Sequence, residues 1–262
     1  MTTAAFFRRE GEAFIPGPAC RGPWDPKSLH GRVIAGLLGA EIDRQYGAPD
    51  LQFTRLTIDL WRLPGFDPIT VRTSLAREGG RLKIVDAECF AGDLSIGRAS
   101  GVLLRRTENP EGAVWSPAPW EMPHPETMPR DERPEGAADG WKPMWETRGP
   151  ERRWNAAAQK RLWMRENYTL FEGEPLTPLQ RVALAADLTS PLANSGTEGL
   201  QFINADITLY LHRLPESDWL GFETVAHHAA AGVAVGESVI YDLDGAIGRS
   251  TVSALAQRRR AV

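Results

Sequence analysis

Cysteine is almost missing from the chain. Cys20 and Cys89 are the two that occur, and neither belongs to a CxxC or CxH pattern. A disulfide framework and a thiolate metal site are therefore excluded, and both thiols read as reduced and structural. Long apolar runs are missing too: nothing approaches the roughly 18 residues a membrane helix needs. Phe6-Phe7 followed by Arg8-Arg9 lacks the apolar core of a signal peptide. These absences predict a cytoplasmic protein with no membrane partner. Basic excess is absent as well, since 30 Lys and Arg face 34 Asp and Glu for a net charge of -4 and a pI near 5.8. That balance argues against nucleic acid as a partner, and Arg258-Arg259-Arg260 reads as solvated charge. There is no HExxH, no glycine-rich phosphate loop and no GxSxG elbow. Ser195 and Ser250 have no base at a recognisable spacing. His227 and His228 are adjacent on an expected strand, so they point to opposite faces and cannot share a metal. No metal and no cofactor are expected.

What is present is ordinary globular composition, 42% hydrophobic and 24% charged, arranged in an order that repeats. Leu200 to Pro215 alternates with period two: Ile203, Ala205, Ile207, Leu209 and Leu211 fall on one side, Asn204, Asp206, Thr208, Tyr210 and His212 on the other. That is the pattern of a strand with one buried face. It has an echo in the run from Leu51 to Pro64, with Leu56, Ile58 and Leu60 inward. Further landmarks keep step. Arg32-Val33 stands as far ahead of Leu51-Gln52-Phe53 as Arg181-Val182 stands ahead of Leu200-Gln201-Phe202, and Leu63-Pro64 precedes Ile96-Gly97-Arg98 as Leu214-Pro215 precedes Ile247-Gly248-Arg249. The offset grows by two residues inside the central strand, so the second copy carries an insertion there. The chain reads as a duplicated unit.

Each copy is predicted as strand, helix and a meander of four strands. In the first, a strand over Phe6 to Ile15 precedes a helix from Ser28–His30 to Tyr46, with Val33, Ile34, Leu37, Leu38 and Ile42 as its apolar stripe and Gly47 as C-cap. Strands follow from Leu51, over Ile69 to Ala76, Leu82 to Phe90 and Ser95 to Arg105. In the second, a strand over Arg161 to Leu170 precedes a helix opened by a Thr177/Gln180 capping box with Pro178 at its first position, and ended by Pro191. Strands follow from Leu200, over Trp219 to His228, Ala234 to Tyr241 and Ala246 to Gln257, with Asp242 to Gly245 as a hairpin turn. Between the copies, Thr107 to about Arg153 holds nine of the twenty prolines and Trp115, Trp120, Trp141 and Trp145. So many large rings predict an irregular belt pinned to the body. The expected units are residues 1–106, 107–153 and 154–262.

A long apolar helix with about five antiparallel strands is buried when a sheet curls around it. Two copies predict an α+β double hotdog, with two curled antiparallel sheets each wrapping one long helix and joined edge to edge. The chain resembles the acyl-CoA thioesterase II-like family in its double-hotdog branch. The resemblance rests on Leu29-His30-Gly31-Arg32-Val33, Ala186-Asp187-Leu188, Asp206 to His212-Arg213, and Gly248-Arg249-Ser250-Thr251-Val252. It implies hydrolysis of acyl-CoA thioesters, acyl-CoA as the partner, and a homo-oligomer, a dimer of double hotdogs. It also implies a water held by an Asp on the second helix, a hydroxyl on the central strand and an amide on the last strand. Here those positions are Asp187, Asn204 and Ser253, so the amide and the hydroxyl have exchanged strands, and either can still bond a water.

Asp187 stands out without any resemblance, because its helix neighbours Val182 to Ala186 and Leu188 are apolar and its counterpart in the first copy is Leu38. An unpaired buried carboxylate is costly, so it has either partners and a task or a place at an exposed helix edge. Ser253 likewise faces an apolar counterpart, Val102. The place of the two-residue insertion decides which first-copy residue Asn204 replaces. His30, Gly31 and Arg32 begin the first helix and are the candidate substrate-binding residues: free N–H groups there suit an oxyanion, and Gly31 either admits a thioester carbonyl or serves close packing. Arg213, Arg249 and Arg258 are candidates for the coenzyme phosphates. Two alternatives remain: an enoyl-CoA hydratase using Asp25 and His30, and an acyl-CoA binding protein without catalysis.

Overall fold

A computed structural model describes residues 4–130, 143–150 and 154–257. The first copy contains β1 (Ala5–Glu10), β2 (Ala13–Pro16), α1 (Gly31–Tyr46), β3 (Leu51–Leu60), β4 (Ile69–Glu78), β5 (Leu82–Ala91) and β6 (Leu94–Arg105). The connecting segment ends in β7 (Trp145–Arg148). The second copy begins with β8 (Arg161–Glu166), β9 (Thr169–Phe171), α2 (Pro178–Ala185) and α3 (Thr189–Asn194). It continues through β10 (Ser195–Gly196), β11 (Gly199–Leu200), β12 (Phe202–Asn204), β13 (Asp206–Leu211), β14 (Trp219–Ala230), β15 (Val233–Asp242) and β16 (Gly245–Ala256).

The two expected sheets join edge to edge into one. A 14-stranded sheet runs β7-β8-β14-β15-β16-β13-β3-β6-β5-β4-β2-β1-β9, with β12 also paired to β16, while β10 and β11 form a small pair of their own. Every pairing is antiparallel except β1 with β9. The halves meet at β3 and β13, where Thr57 pairs with Thr208. These are equivalent residues of the two copies, so a pseudo-twofold axis passes between them, and their hydroxyls lie 3.4 Å apart. The duplicated Ile-Gly-Arg motif has a physical cause on either side of this seam, where β6 pairs with β3 and β16 with β13. A Cβ on Gly97 would stand 2.9 Å from Asp59 O, and one on Gly248 would stand 1.9 Å from Tyr210 O. Each glycine lets a final strand close on its central neighbour.

One face of the sheet carries the core. Leu56 and Ile58 of β3 and Ile207 and Leu209 of β13 are fully buried, as their alternation requires, and they join Val33, Leu37, Leu38, Val182 and Leu184 in a single apolar cluster spanning both copies. α1 packs on β3 to β6, α3 on β14 to β16, and α1 and α2 touch each other. The helices run antiparallel, with Gly36 against Leu184 and Gly31 against Asp187.

Several elements depart from expectation. Phe6 to Ile15 is a hairpin rather than one strand, because Gly11 turns the chain with φ +57°. Arg161 to Leu170 breaks at Asn167-Tyr168, so β8 sits near one end of the sheet and β9 at the other. The Leu200 run is interrupted at Gln201 and Ala205. The second helix is two helices separated by a 3-10 turn at Ala186–Leu188, and Pro191 does not end it. Proline is tolerated there because it falls in the first turn of α3, just after the chain has tightened. The capping box does form: Gln180 N donates to Thr177 Oγ1 at 3.2 Å, and Thr177 N donates to Gln180 Oε1 at 3.1 Å. The belt is pinned, though not by every ring. Trp120 stacks on Tyr241 with centroids 4.1 Å apart and packs with Trp163 and Trp219 in a second small core, and Trp145 lies in β7, whereas Trp115 is 86% exposed. Trp141 and Arg258 lie outside the described residues.

Candidate active site

Asp187 is carried by the 3-10 turn between α2 and α3. The turn follows from Pro191, which cannot donate to a carbonyl one helical turn back. The chain tightens instead: Thr189 N–H reaches back to Ala186 O and Asp187 O, and Ser250 Oγ donates to Ala186 O at 2.9 Å. This break presents the Asp187 side chain toward the start of α1 and toward β12. The carboxylate is 7% exposed.

Both carboxylate oxygens have partners. Asn204 Nδ2 donates to Oδ1 at 3.0 Å, and His30 Nδ1 lies 3.1 Å from Oδ2. The same His30 nitrogen is 3.4 Å from Arg32 N, and it cannot both accept from that N–H and donate to Asp187. The shorter contact and the charge of the carboxylate select the Nδ1–H tautomer, directed at Asp187. Burial alone would raise the Asp187 pKa. The His30 hydrogen bond and charge, the Asn204 amide and the nearby Arg32 charge outweigh it and hold the carboxyl below its ordinary value. Asp187 is therefore ionised at neutral pH. Gly31 completes the site, because a Cβ there would lie 3.7 and 3.9 Å from the two carboxylate oxygens. The nearest atom to such a Cβ is Leu60 Cδ1 at 2.9 Å, so the missing side chain at position 31 lets Leu60 and Asp187 close on the start of α1.

Other expected residues are placed differently. Arg32 is 2% exposed and its guanidinium turns away into a buried pair with Glu166, with Trp145 4.4 Å beneath it. Only its main chain belongs to the start of α1. Ser253 lies on the strand face opposite the buried Val252 and Ala254. Its N–H donates to Asp206 Oδ1 at 2.6 Å, and among the described residues its hydroxyl makes no hydrogen bond. Asp25 is exposed and accepts from Lys27 N in its own loop, so Asp25 and His30 do not form a hydratase dyad. Arg213 is held bidentately by Asp242 at 2.6 and 2.7 Å, and Arg249 by Glu237 at 2.8 Å, which leaves neither as an open phosphate ligand. Among the described residues no three His, Cys, Asp or Glu side chains gather as a metal site would require.

Register settles the asymmetry between copies. Asn204 pairs with Ala254 as Phe53 pairs with Leu103. Asn204 thus replaces Phe53, and Asp206 replaces Arg55. Where the second copy has Asp187 and Asn204, the first has the buried Leu38 and Phe53. Two features escaped sequence reasoning, the His30 contact to Asp187 and the tie from Asp206 to Ser253. The antiparallel placement of the helices, implied by the duplication, was the available signal for the first.

A family model described as acyl-CoA thioesterase C-terminal domain matches residues 117–255. Similar solved structures include a tesB protein from Mycobacterium avium subs paratuberculosis, with TM-score 0.71, 16% identity and 96% of each chain covered. A conserved protein of unknown function with hot dog fold from Alicyclobacillus acidocaldarius gives 0.74 at 15% identity over 98% of each chain. Acyl-CoA thioesterase II TesB2 from Mycobacterium marinum gives 0.63 at 19% identity, covering 86% of this chain and 90% of that one. No curated protein matches the chain at a significant level. The likenesses to these structures carry the hotdog fold.

Proposed function

The chain belongs to the acyl-CoA thioesterase family, which makes it a thioester hydrolase, and from that premise we propose that Asp187 is the general base of the reaction. The single observation that supports this reading is the arrangement of Asp187, an ionised and buried carboxylate with one oxygen on Asn204 and the other on His30. In the reaction Asp187 takes a proton from a water beside its carboxylate, next to Gly31. The resulting hydroxide attacks the thioester carbonyl. The oxyanion is met by first-turn N–H groups of Gly31 and Arg32, which have no helical acceptor. Collapse breaks the carbon–sulfur bond, and the proton returns from Asp187 to the departing CoA sulfur, so acid and CoA leave and the carboxylate is restored. Asn204 orients the base. Ser253 serves through its main chain by fixing Asp206 beside the site.

The same reading takes residues 1–106 and 154–262 as two hotdogs, each sheet half curling round its own helix, with 107–153 as the belt between them. It places the protein in the cytoplasm as a dimer of such units. Release of free CoA from a panel of acyl-CoAs tests the activity. No turnover at any chain length, with acyl-CoA retained on the purified protein, would favour a binding protein instead.

A further inference from the structure

Beyond Asn204 a groove runs between the end of α3 and β14, lined by Lys160, Leu192, Asn194, Phe202, Thr224 and His227 among others. Its polar groups are chiefly donors. Lys160 is 9% exposed; its Nζ donates to Ser195 O at 2.8 Å, and among the described residues it has no carboxylate partner. Asn194 is 5% exposed, and its Nδ2 has no hydrogen-bond partner, while its Oδ1 lies 3.0 Å from His227 Nδ1. Thr224 Oγ1 is also buried without a partner. Ser195 follows Asn194 directly, so the amine and the amide stand side by side. A buried ammonium without a counter-anion is unfavourable, and burial lowers the Lys160 pKa accordingly. Unpaired buried donors are costly in the same way. Apolar wall comes from Leu192, Phe202 and the alanines of 156–158, beside polar groups such as Gln159 and Gln201, and exposed Glu198 also lines the groove.

Two elements lead from the lining of the groove to the site. Phe202 and Asn204 share one face of β12, about 7 Å apart at the rise of a strand. Asn194 ends the helix that follows Asp187, about 10 Å further on at the helical rise. A flexible chain whose thioester carbonyl stood at Asp187 would pass Phe202 and end among Lys160, Asn194 and Thr224.

We propose that this groove takes the far end of the acyl group and that this end is a carboxylate, so that the favoured substrates are CoA monothioesters of medium-length dicarboxylic acids. The proposal rests on Asp187 being the reaction centre. A carboxylate supplies two acceptor oxygens to three donors and a counter-charge to Lys160, and the apolar walls suit the methylene chain before it. An anionic group of CoA itself is the competing source of the same chemistry.

The test compares suberyl-CoA with octanoyl-CoA, which differ only at the far end of the acyl chain. The wild type is expected to favour suberyl-CoA in kcat/KM by about tenfold or more, the scale of one hydrogen bond to a charged group. Lys160→Met is expected to abolish the preference through the KM for suberyl-CoA while leaving octanoyl-CoA unchanged. Lys160→Arg is expected to restore part of it, and Thr224→Val, nearly isosteric, to weaken it less. Thermal midpoints show which variants remain folded. Equal kcat/KM for both substrates in the wild type overturns the proposal, and so does an equal loss for both in Lys160→Met, which would assign the groove to CoA. Octanoyl-CoA turnover by the wild type reports on Asp187 alone. If it is nil, calorimetric binding of the two thioether analogues decides the groove, with equal affinity overturning the proposal.

Discussion

His30 Nδ1 stands 3.1 Å from Asp187 Oδ2, so the N-cap of the first copy's helix is the partner of the second copy's carboxylate. The site belongs to neither half alone. It exists because α1 and α2 pack antiparallel across the pseudo-twofold axis, bringing the start of one helix to the end of the other. Four expected outcomes follow from that geometry and from the seam beneath it.

Asp187→Asn removes the proposed base and keeps the shape. Loss of a general base costs about a hundredfold or more, and steady-state CoA release is expected to fall by at least that factor while KM changes little. An unchanged kcat would remove Asp187 from the chemistry.

His30→Ala removes the strongest interaction holding the Asp187 pKa down. The folded pKa then rises, so the ionised base is lost at a higher pH than in the wild type. The acid limb of the kcat/KM profile is expected to move upward, because a charged hydrogen bond to the carboxylate is lost. The stability linked to Asp187 shifts in the same sense. In the wild type it is present above the unfolded carboxylate pKa and lost as pH falls through the depressed folded value. In the variant less of it remains. Rate profiles and urea midpoints against pH check both.

Leu38→Asp places a carboxylate at the equivalent position of the first copy. It meets no amide, because Phe53 stands where Asn204 would be. An unpaired buried carboxylate is expected to destabilise the fold by about 3 kcal/mol or more and to add no activity. Denaturant unfolding and CoA release measure the two effects separately.

Gly248→Ala and Gly97→Ala test the strand pairs that flank the seam. A Cβ meets Tyr210 O at 1.9 Å in the first case and Asp59 O at 2.9 Å in the second. Both are expected to destabilise, Gly248→Ala by about 3 kcal/mol and Gly97→Ala by about 1 kcal/mol. Equal costs, read from urea midpoints, would contradict the closer approach at Gly248.

Much of the architecture was legible because duplication doubles every signal. Strand alternation through Leu56 and Ile58 recurs at Ile207 and Leu209, and the box at Thr177 and Gln180 is local chemistry that needs no tertiary help. Asp187 drew notice because its neighbours are apolar. The contact to His30 was not legible, since it depends on how two helices pack rather than on spacing along either. The broken second helix was misjudged at Pro191, because the same residue ends a helix or opens one according to whether a tightened turn precedes it. The placement of Asn204 depended on the kink at Ala205, which a smooth alternation conceals.

The pairing of Thr57 with Thr208 also bears on how the protein is made. Strand β3 is synthesised early and its neighbour β13 late, so the nascent first copy leaves the ribosome with β3 as an open edge. An unpaired edge is a template for another chain. β1 waits in the same way for β9. On the nascent chain the polar and charged residues of β3, Thr54, Arg55, Thr57 and Asp59, act as gatekeepers on that edge until β13 arrives to cover it.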